Sequence, residues 1–363
     1  MARSDAVWSA QGTTPDTIEA ALRELLIQRH VENDKYEPAR VLNMIAFVDR
    51  EWSGEIANRL RSVGRYSPSR LLVLAYEPRR ERLDARVSIV SEGDPAPGEF
   101  ALLRETVVVE LGDRHLDDLT TIADPLVVTD LPTVLWSPHG HHDVVEPLLA
   151  LSQAVLLDSL DEPVWRDAVD RACELSDQAY VVDLAWLRST PWRERVAASF
   201  DPPPRRPELR AIERITVRHH PASTVSAMLL AGWLASRLDW APSALVARGE
   251  TLLGKAHAGR SPIGRSAIGR RDVSLRLESA PELQVRGLEG LTLRTASGRE
   301  LSLDRGPGGL RARTRDPGGH ERMWRIPGAS RGEGGVLGEG IRQALLRDPT
   351  YLPALKAAQA MLP

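Results

Sequence analysis

Residues 41–77 decide the fold. They read VLNMIAFVD (Val41–Asp49), a helical stretch from Glu51 to Val63, the turn SPSR (Ser67–Arg70) and LLVLAYE (Leu71–Glu77). Two short, almost unbroken apolar runs are what strands buried on both faces look like. A strand, a helix and a strand in that order make a right-handed βαβ unit. Outward from this unit the alternation continues. Leu83–Val90 and Leu103–Leu111 read as strands, with the loop SEGDPAPGE between them. Pro132–Ser137, Ala154–Asp158 and Ala179–Trp186 follow as strands, separated by helices near Val144–Ser152 and Val164–Leu175. Upstream, Asp16–His30 carries Ile18, Leu22, Leu25 and Leu26 at helical spacing. The pattern predicts a mixed, mostly parallel α/β sheet flanked by helices.

The texture changes near Asp239–Pro242. Before it stand a strand, Glu213–His220, and the most apolar helix, Ala222–Leu238. After it, period-two segments appear at Val273–Glu278, Leu283–Gly287, Leu291–Ala296, Glu300–Asp304 and Leu310–Asp316, divided by turns such as ASGRE and DPGGH. Helices Leu337–Leu346 and Tyr351–Leu362 close the chain. The expected division is an α/β domain over residues 1–240, with a possible break into two lobes near 125–150. A smaller antiparallel β-rich domain closed by helices follows over 241–363.

With 363 residues, 42% apolar and 27% charged, the chain has the composition of a folded globular protein. Basic and acidic residues number 47 and 50, a net charge of −3. No global positive field exists to hold nucleic acid. The longest strongly apolar run, Val225–Ala235, is about half of the roughly 20 residues a membrane span needs. Met1–Gln11 lacks the apolar core of a secretory signal, and the single cysteine, Cys173, forbids an intrachain disulfide. A cytoplasmic protein is the expectation.

Few residues of the chain fall into catalytic or ligand-binding patterns. The turn after the first buried strand, Val48-Asp49-Arg50-Glu51-Trp52, is not the GxGxxG that brings a backbone up to a pyrophosphate. GETLLGK (Gly249–Lys255) has the spacing of a phosphate loop, but Ala256 stands where a magnesium-binding hydroxyl belongs and no apolar strand precedes it. There is no GxSxG elbow, and Cys173 sits within a helical apolar pattern, as a buried inert thiol does. His139, His141 and His142 are the candidate metal ligands, on a loop after a strand, where an exposed polar loop is the commoner outcome. His219-His220 end another strand. The segment Arg248–Arg276 holds seven basic residues against two acidic ones, and includes the pentad repeat SPIGR/SAIGR. It reads equally as a mobile solvated loop or as a docking surface through Arg265, Arg270 and Arg271. In DLAWLRSTPWRE, Trp186 ends an apolar strand and reads as core. Thr190 reads as a helix N-cap followed by Pro191. Trp192 and Arg193 stand at the helix start as core or partner contacts.

This last segment carries a resemblance. DLAWLRSTPWRERVAASFD (Asp183–Asp201) resembles the signature stretch of the OpcA family, the glucose-6-phosphate dehydrogenase assembly proteins of actinobacteria and cyanobacteria. RVLNMIAFVD (Arg40–Asp49), SPSRLLVLAYEP (Ser67–Pro78), DPLVVTDLPTVLWSPHG (Asp124–Gly140) and SAMLLAGWLASRL (Ser226–Leu238) resemble further stretches of the family in the same order. The resemblance implies a non-catalytic role without cofactor or metal, with glucose-6-phosphate dehydrogenase as partner. It also implies support of NADPH production by the oxidative pentose phosphate pathway. Relatives often carry cysteine where Ser69 stands here, so redox control through a disulfide within this chain is not expected. The rival reading is an α/β enzyme or sensor that binds a sugar phosphate through residues 248–276.

Overall fold

The computed structural model describes residues 6–32, 36–38, 40–63, 68–91, 101–258, 271–328 and 332–363. The elements run in order β1 (Ala6–Ala10), α1 (Pro15–Glu32), β2 (Tyr36–Pro38), β3 (Leu42–Asp49), α2 (Ser53–Val63), β4 (Ser69–Tyr76), β5 (Asp84–Ser91), β6 (Ala101–Leu111), α3 (Leu119–Ala123), β7 (Thr133–Trp136), α4 (His142–Leu149), β8 (Ala154–Leu157), α5 (Trp165–Ser176) and β9 (Tyr180–Asp183). Then come α6 (Leu184–Arg188), α7 (Thr190–Phe200), α8 (Arg206–Arg210), β10 (Ile212–His219), α9 (Thr224–Arg237), β11 (Trp240–Pro242), β12 (Val246–Arg248) and β13 (Thr251–Ala258). The chain ends with β14 (Arg271–Ser279), β15 (Leu288–Thr295), β16 (Glu300–Gly306), β17 (Gly309–Arg315), β18 (Glu321–Pro327), α10 (Gly332–Leu346) and α11 (Tyr351–Gln359). No described helix is long and apolar enough to cross a membrane.

Among the described residues the strands form two nine-stranded sheets. The first has the order β1-β5-β6-β4-β3-β7-β8-β9, with β2 paired to β6. Its pairs β6–β4, β4–β3, β3–β7 and β7–β8 are parallel, and β5 and β1 add antiparallel strands at one edge. The parallel core starts in the middle at β3, winds out through β4 to β6, then returns past β3 to β7 and β8. Strand β3 is therefore buried along its length up to Asp49, which is why it reads as an unbroken apolar run.

The second sheet has the order β11-β13-β14-β10-β15-β16-β17-β18, with β12 on β13. Only β10–β14 is parallel. This is the antiparallel β-rich half that the sequence announces, and it has as many strands as the first. One of its faces is apolar: Ile215, Val217, Leu275, Leu291 and Leu303 are buried, and α9 packs on that side against β10, β11 and β14.

The chain divides elsewhere than at the change of texture near residue 240. One unit comprises residues 1–157, 178–182 and 333–347. The other comprises 158–177, 183–332 and 348–363. The reason is β10: it lies between β14 and β15, so it and α9 belong with the strands that follow them. Two further expectations change. Leu283–Gly287 is not a strand but the connection into β15. Thr251–Ala258, read as part of a basic loop, is a full strand paired residue for residue with β14, from Thr251↔Glu278 to Ala258↔Arg271.

Helices α9 and α11 touch backbone to backbone at Gly232. A Cβ there would collide with the Ala354 carbonyl oxygen and lie 3.1 Å from the Ala358 nitrogen. Gly232→Ala is expected to force the helices apart and lower stability by about 1–3 kcal/mol, read as a fall in melting temperature. Gly54→Ala, where nothing lies within 4 Å, is expected to hold or raise it by up to about 1 kcal/mol through helix propensity.

Candidate functional site

In doubly wound sheets the ligand crevice opens at the strand C-termini, where the winding reverses. Here that point is the end of β3 against the end of β7. Asp49 closes β3, and a single 3₁₀ turn, Arg50–Trp52, leads into α2. Beyond β7 comes the loop to His141, which stands left-handed at φ 55° just before α4. That conformation costs a residue with a Cβ on the order of 1 kcal/mol. The ring is held by Asp49, whose Oδ1 lies 2.9 Å from Nε2, and by edge contacts to Phe47 and Tyr76 with centroids 5.1 and 5.6 Å away. His139 lies against Trp52, and its Nδ1 is 3.9 Å from the same carboxylate. Burial holds the His139 imidazole below its usual value, against the opposing pull of Asp49. Asp49 thus gathers two of the three candidate histidines, while His142 begins α4. Among the described residues no three His, Cys, Asp or Glu side chains come together as a metal would need.

Beside this point lies an open hollow of about 710 Å³ between α2 and the face of β5 and β6. Among the described residues no helix stands in the chain between β4 and β6. Arg50, Arg61, Arg80 and Arg86 line it together with Asp84 and Glu110. Glu110 sits between Arg50, 3.1 Å away, and Arg80, which also reaches Asp84 at 3.1 Å. Arg86 is exposed and meets no acid among the described residues.

The segment that resembles the family signature builds the interior of the second unit. The strand expected to run to Trp186 stops at Asp183. The Asp183 carboxylate accepts from the Ala185 nitrogen at 2.9 Å and so caps α6. Trp186 is core, as expected from its surroundings, but on a helix, at 1% exposure. Its indole donates to Asp348 at 2.9 Å, its ring meets Tyr351, and the Arg193 guanidinium lies 3.5 Å above its centroid. Arg193 also donates to Thr190 at 2.9 Å and to Ser189 at 3.2 Å. Burial lowers it to about 10, against the pull of Asp348. Thr190 is not the N-cap. Ser189 holds that position, and Pro191 stands in the first turn. Trp192 and Arg193, candidate partner contacts in the sequence, are 5% and 9% exposed. The partners of Arg193, namely Trp186, Ser189, Thr190 and Asp348, all lie within the unit.

Of the basic candidates, Arg265 and Arg270 lie outside the described residues, as does the pentad repeat. Arg271 begins β14 and donates to the carbonyls of Arg210 and Ala211. GETLLGK forms the β12–β13 turn and part of β13, and among the described residues the next element is the strand β14, not a helix that could receive a phosphate. The buried thiol of Cys173 lies in α5, and burial pushes it up to about 11.

Nothing in the sequence marks Asp183 as a titrating group beyond its place within an apolar run. It is fully buried and also accepts from the Ser159 hydroxyl at 2.6 Å and backbone nitrogen at 3.1 Å. Burial, then the Asp158 charge, pushes it up to about 6 against those donors. A carboxyl raised in the fold holds its proton more tightly there than in the unfolded chain. Stability should therefore fall as pH rises from about 4 to about 6 and then level off, by on the order of 2–3 kcal/mol. Asp183→Asn cannot titrate. It is expected to be less stable throughout, with the gap to the parent widest near pH 4 and narrowing by pH 6.5. Denaturant melts across that range measure it, and a constant gap would show an ordinary carboxyl.

The family model described as glucose-6-phosphate dehydrogenase subunit N-terminal domain matches residues 61–174, and the corresponding C-terminal domain matches 179–355. An OxPP cycle protein OpcA of Synechocystis sp. is 24% identical over 240 residues, which is 64% of this chain and 50% of that protein. Its namesake in Nostoc punctiforme is 34% identical over 121 residues, 32% of this chain and 26% of that one. The matched stretches thus span half or less of these relatives' length. The solved apo scyllo-inositol dehydrogenase of Lactobacillus casei shares 11% identity at a TM-score of 0.43, covering 90% of this chain and 96% of its own. Two domain models matched end to end, and relatives of one name, place this chain in the OpcA family.

Proposed function

We propose that the chain associates with glucose-6-phosphate dehydrogenase and promotes its assembly or activity, as a protein partner and not as a catalyst. It would thereby support NADPH production by the oxidative pentose phosphate pathway. The observation that carries this reading is the pair of domain matches, both described as parts of a glucose-6-phosphate dehydrogenase subunit. The geometry supports it. Asp49, His139, His141 and Trp52 stand together at the reversal point of the first sheet, and the turn after β3 has no glycine-rich approach for a pyrophosphate.

A second reading is an enzyme or sensor that binds a sugar phosphate; in its expected basic seat residues 251–258 and 271–276 are strand, and 259–270 lie outside the described residues. It keeps one observation in its favour, the arginine-lined hollow beside α2. Calorimetry of the isolated chain with glucose 6-phosphate, before and after Arg86→Glu, separates the two. Heat that vanishes in the variant favours the sensor.

Two outcomes are expected for the proposal. The purified chain alone should not reduce NADP with glucose 6-phosphate. Added to the dehydrogenase of the same organism, it should raise specific activity or the assembled fraction, read by coupled absorbance and by sedimentation. Turnover by the chain alone overturns the non-catalytic role. Cys173→Ser should leave this effect unchanged with and without reductant, because a thiol this buried and this weakly acidic does not exchange. An oxidant effect lost only in the variant overturns that expectation.

A further inference from the structure

The polar face of the second sheet, opposite α9, is where the structure spends unpaired charge. Strand β17 alternates strictly: Leu310 and Ala312 are buried, while Arg311, Arg313 and Arg315 are exposed. Cross-strand register decides what each arginine meets. Arg313 reaches Glu300 at 3.7 Å and Arg315 reaches Glu321 at 3.8 Å. The acid opposite Arg311 is Asp304, but Asp304 is already taken from the other side by Arg218. Gly290 makes that possible, since a side chain there would occupy the path of the Arg218 guanidinium. On its other flank Arg311 stands directly opposite Arg325 of β18. Like charges in directly opposed positions are destabilising. Among the described residues neither arginine has an ion-pair partner.

The same corner is concave and carries exposed apolar surface. A cavity of about 560 Å³ is lined by Arg311, Arg313, Arg325, Trp324 and Met323 together with the Arg218-paired Asp304, and Met323 is 74% exposed. Arginine, tryptophan and methionine are the residue types enriched at protein interfaces. Strand β18 is also the edge of the sheet.

We infer that the β17–β18 corner is a docking surface for a carboxylate-bearing face of another protein, with Arg311 and Arg325 as its two recognition charges and Met323, on the same face opposite Arg313, as the apolar contact beside them. A second copy of this chain fits badly, because it would bring the same unpaired arginines against themselves. The inference rests on the proposed association with the dehydrogenase, and takes that protein as the occupant.

The test uses the full chain and the dehydrogenase of the same organism, with association followed by surface plasmon resonance from 50 to 500 mM salt. Arg325→Glu places an acid opposite Arg311, so its melting temperature should hold or rise. Its affinity for the dehydrogenase should nevertheless fall at least tenfold, and its salt dependence should flatten. Arg311→Gln/Arg325→Gln should lie between the two. Unchanged affinity and salt slope in Arg325→Glu, beside a parent that binds, overturn the surface alone. A parent that binds no dehydrogenase overturns both the surface and the reading beneath it. Loss of self-association in Arg325→Glu, with dehydrogenase binding intact, assigns the corner to a second copy and overturns the inference as stated.

Discussion

A guanidinium resting 3.5 Å above an indole, with both groups out of water, organises the interior of the second unit. Arg193 belongs to α7, Trp186 to α6, and their shared acid, Asp348, leads into α11. Removing a buried charge from water is costly unless it is paired and hydrogen-bonded. Here the cost is met by the ring face, two hydroxyls and a carboxylate 3.8 Å away. Tyr351 of α11 then reaches back to Asp183, so the cap of α6 and the start of α11 belong to the same network. Helix α9 meets this same α11 at Gly232, where the missing Cβ lets the two backbones touch.

Much of the fold was legible because burial on two faces writes itself into sequence. Val41–Asp49 and Leu71–Glu77 could hardly be anything but central strands, and β3 and β4 lie there. Strands with one wet face were nearly as clear, as at Val273–Glu278. What escaped was decided by partners. Thr251–Ala258 holds Gly254 and Lys255 in its middle and shows no clean period. Gly254 is needed because the Leu245 side chain packs where a Cβ would be. Leu283–Gly287 has the right alternation but no strand to pair with. Trp186 looked like the end of a strand because nothing in the residues themselves says that Asp183 will cap a helix two residues on.

The candidate sites were less legible than the fold, and for a physical reason. Residue type and spacing mark chemistry when a backbone motif does the binding. A surface built from cross-strand neighbours has no such spacing. Arg311 and Arg325 are 14 positions apart in sequence and adjacent in register. Likewise, Asp49 and His141 meet only because β3 and β7 are neighbours. The basic segment is legible because its charges lie along one stretch of chain. The sheet face brings charges from different strands side by side.

The interleaving of the two units has a consequence for how the chain is made. The first unit contains residues 333–347, and Ile341 of that segment lines the same small hollow as Met44, Leu60 and Leu71. During synthesis the earliest strands therefore leave the ribosome well before the helix that finishes their packing. Such long sequence separation slows folding and leaves apolar surface open in the meantime. A fragment cut at residue 157 would inherit the central strands of the first sheet without their last covering helix. In a nascent chain the second unit must be threaded out, from residue 183 to 332, before the first is complete.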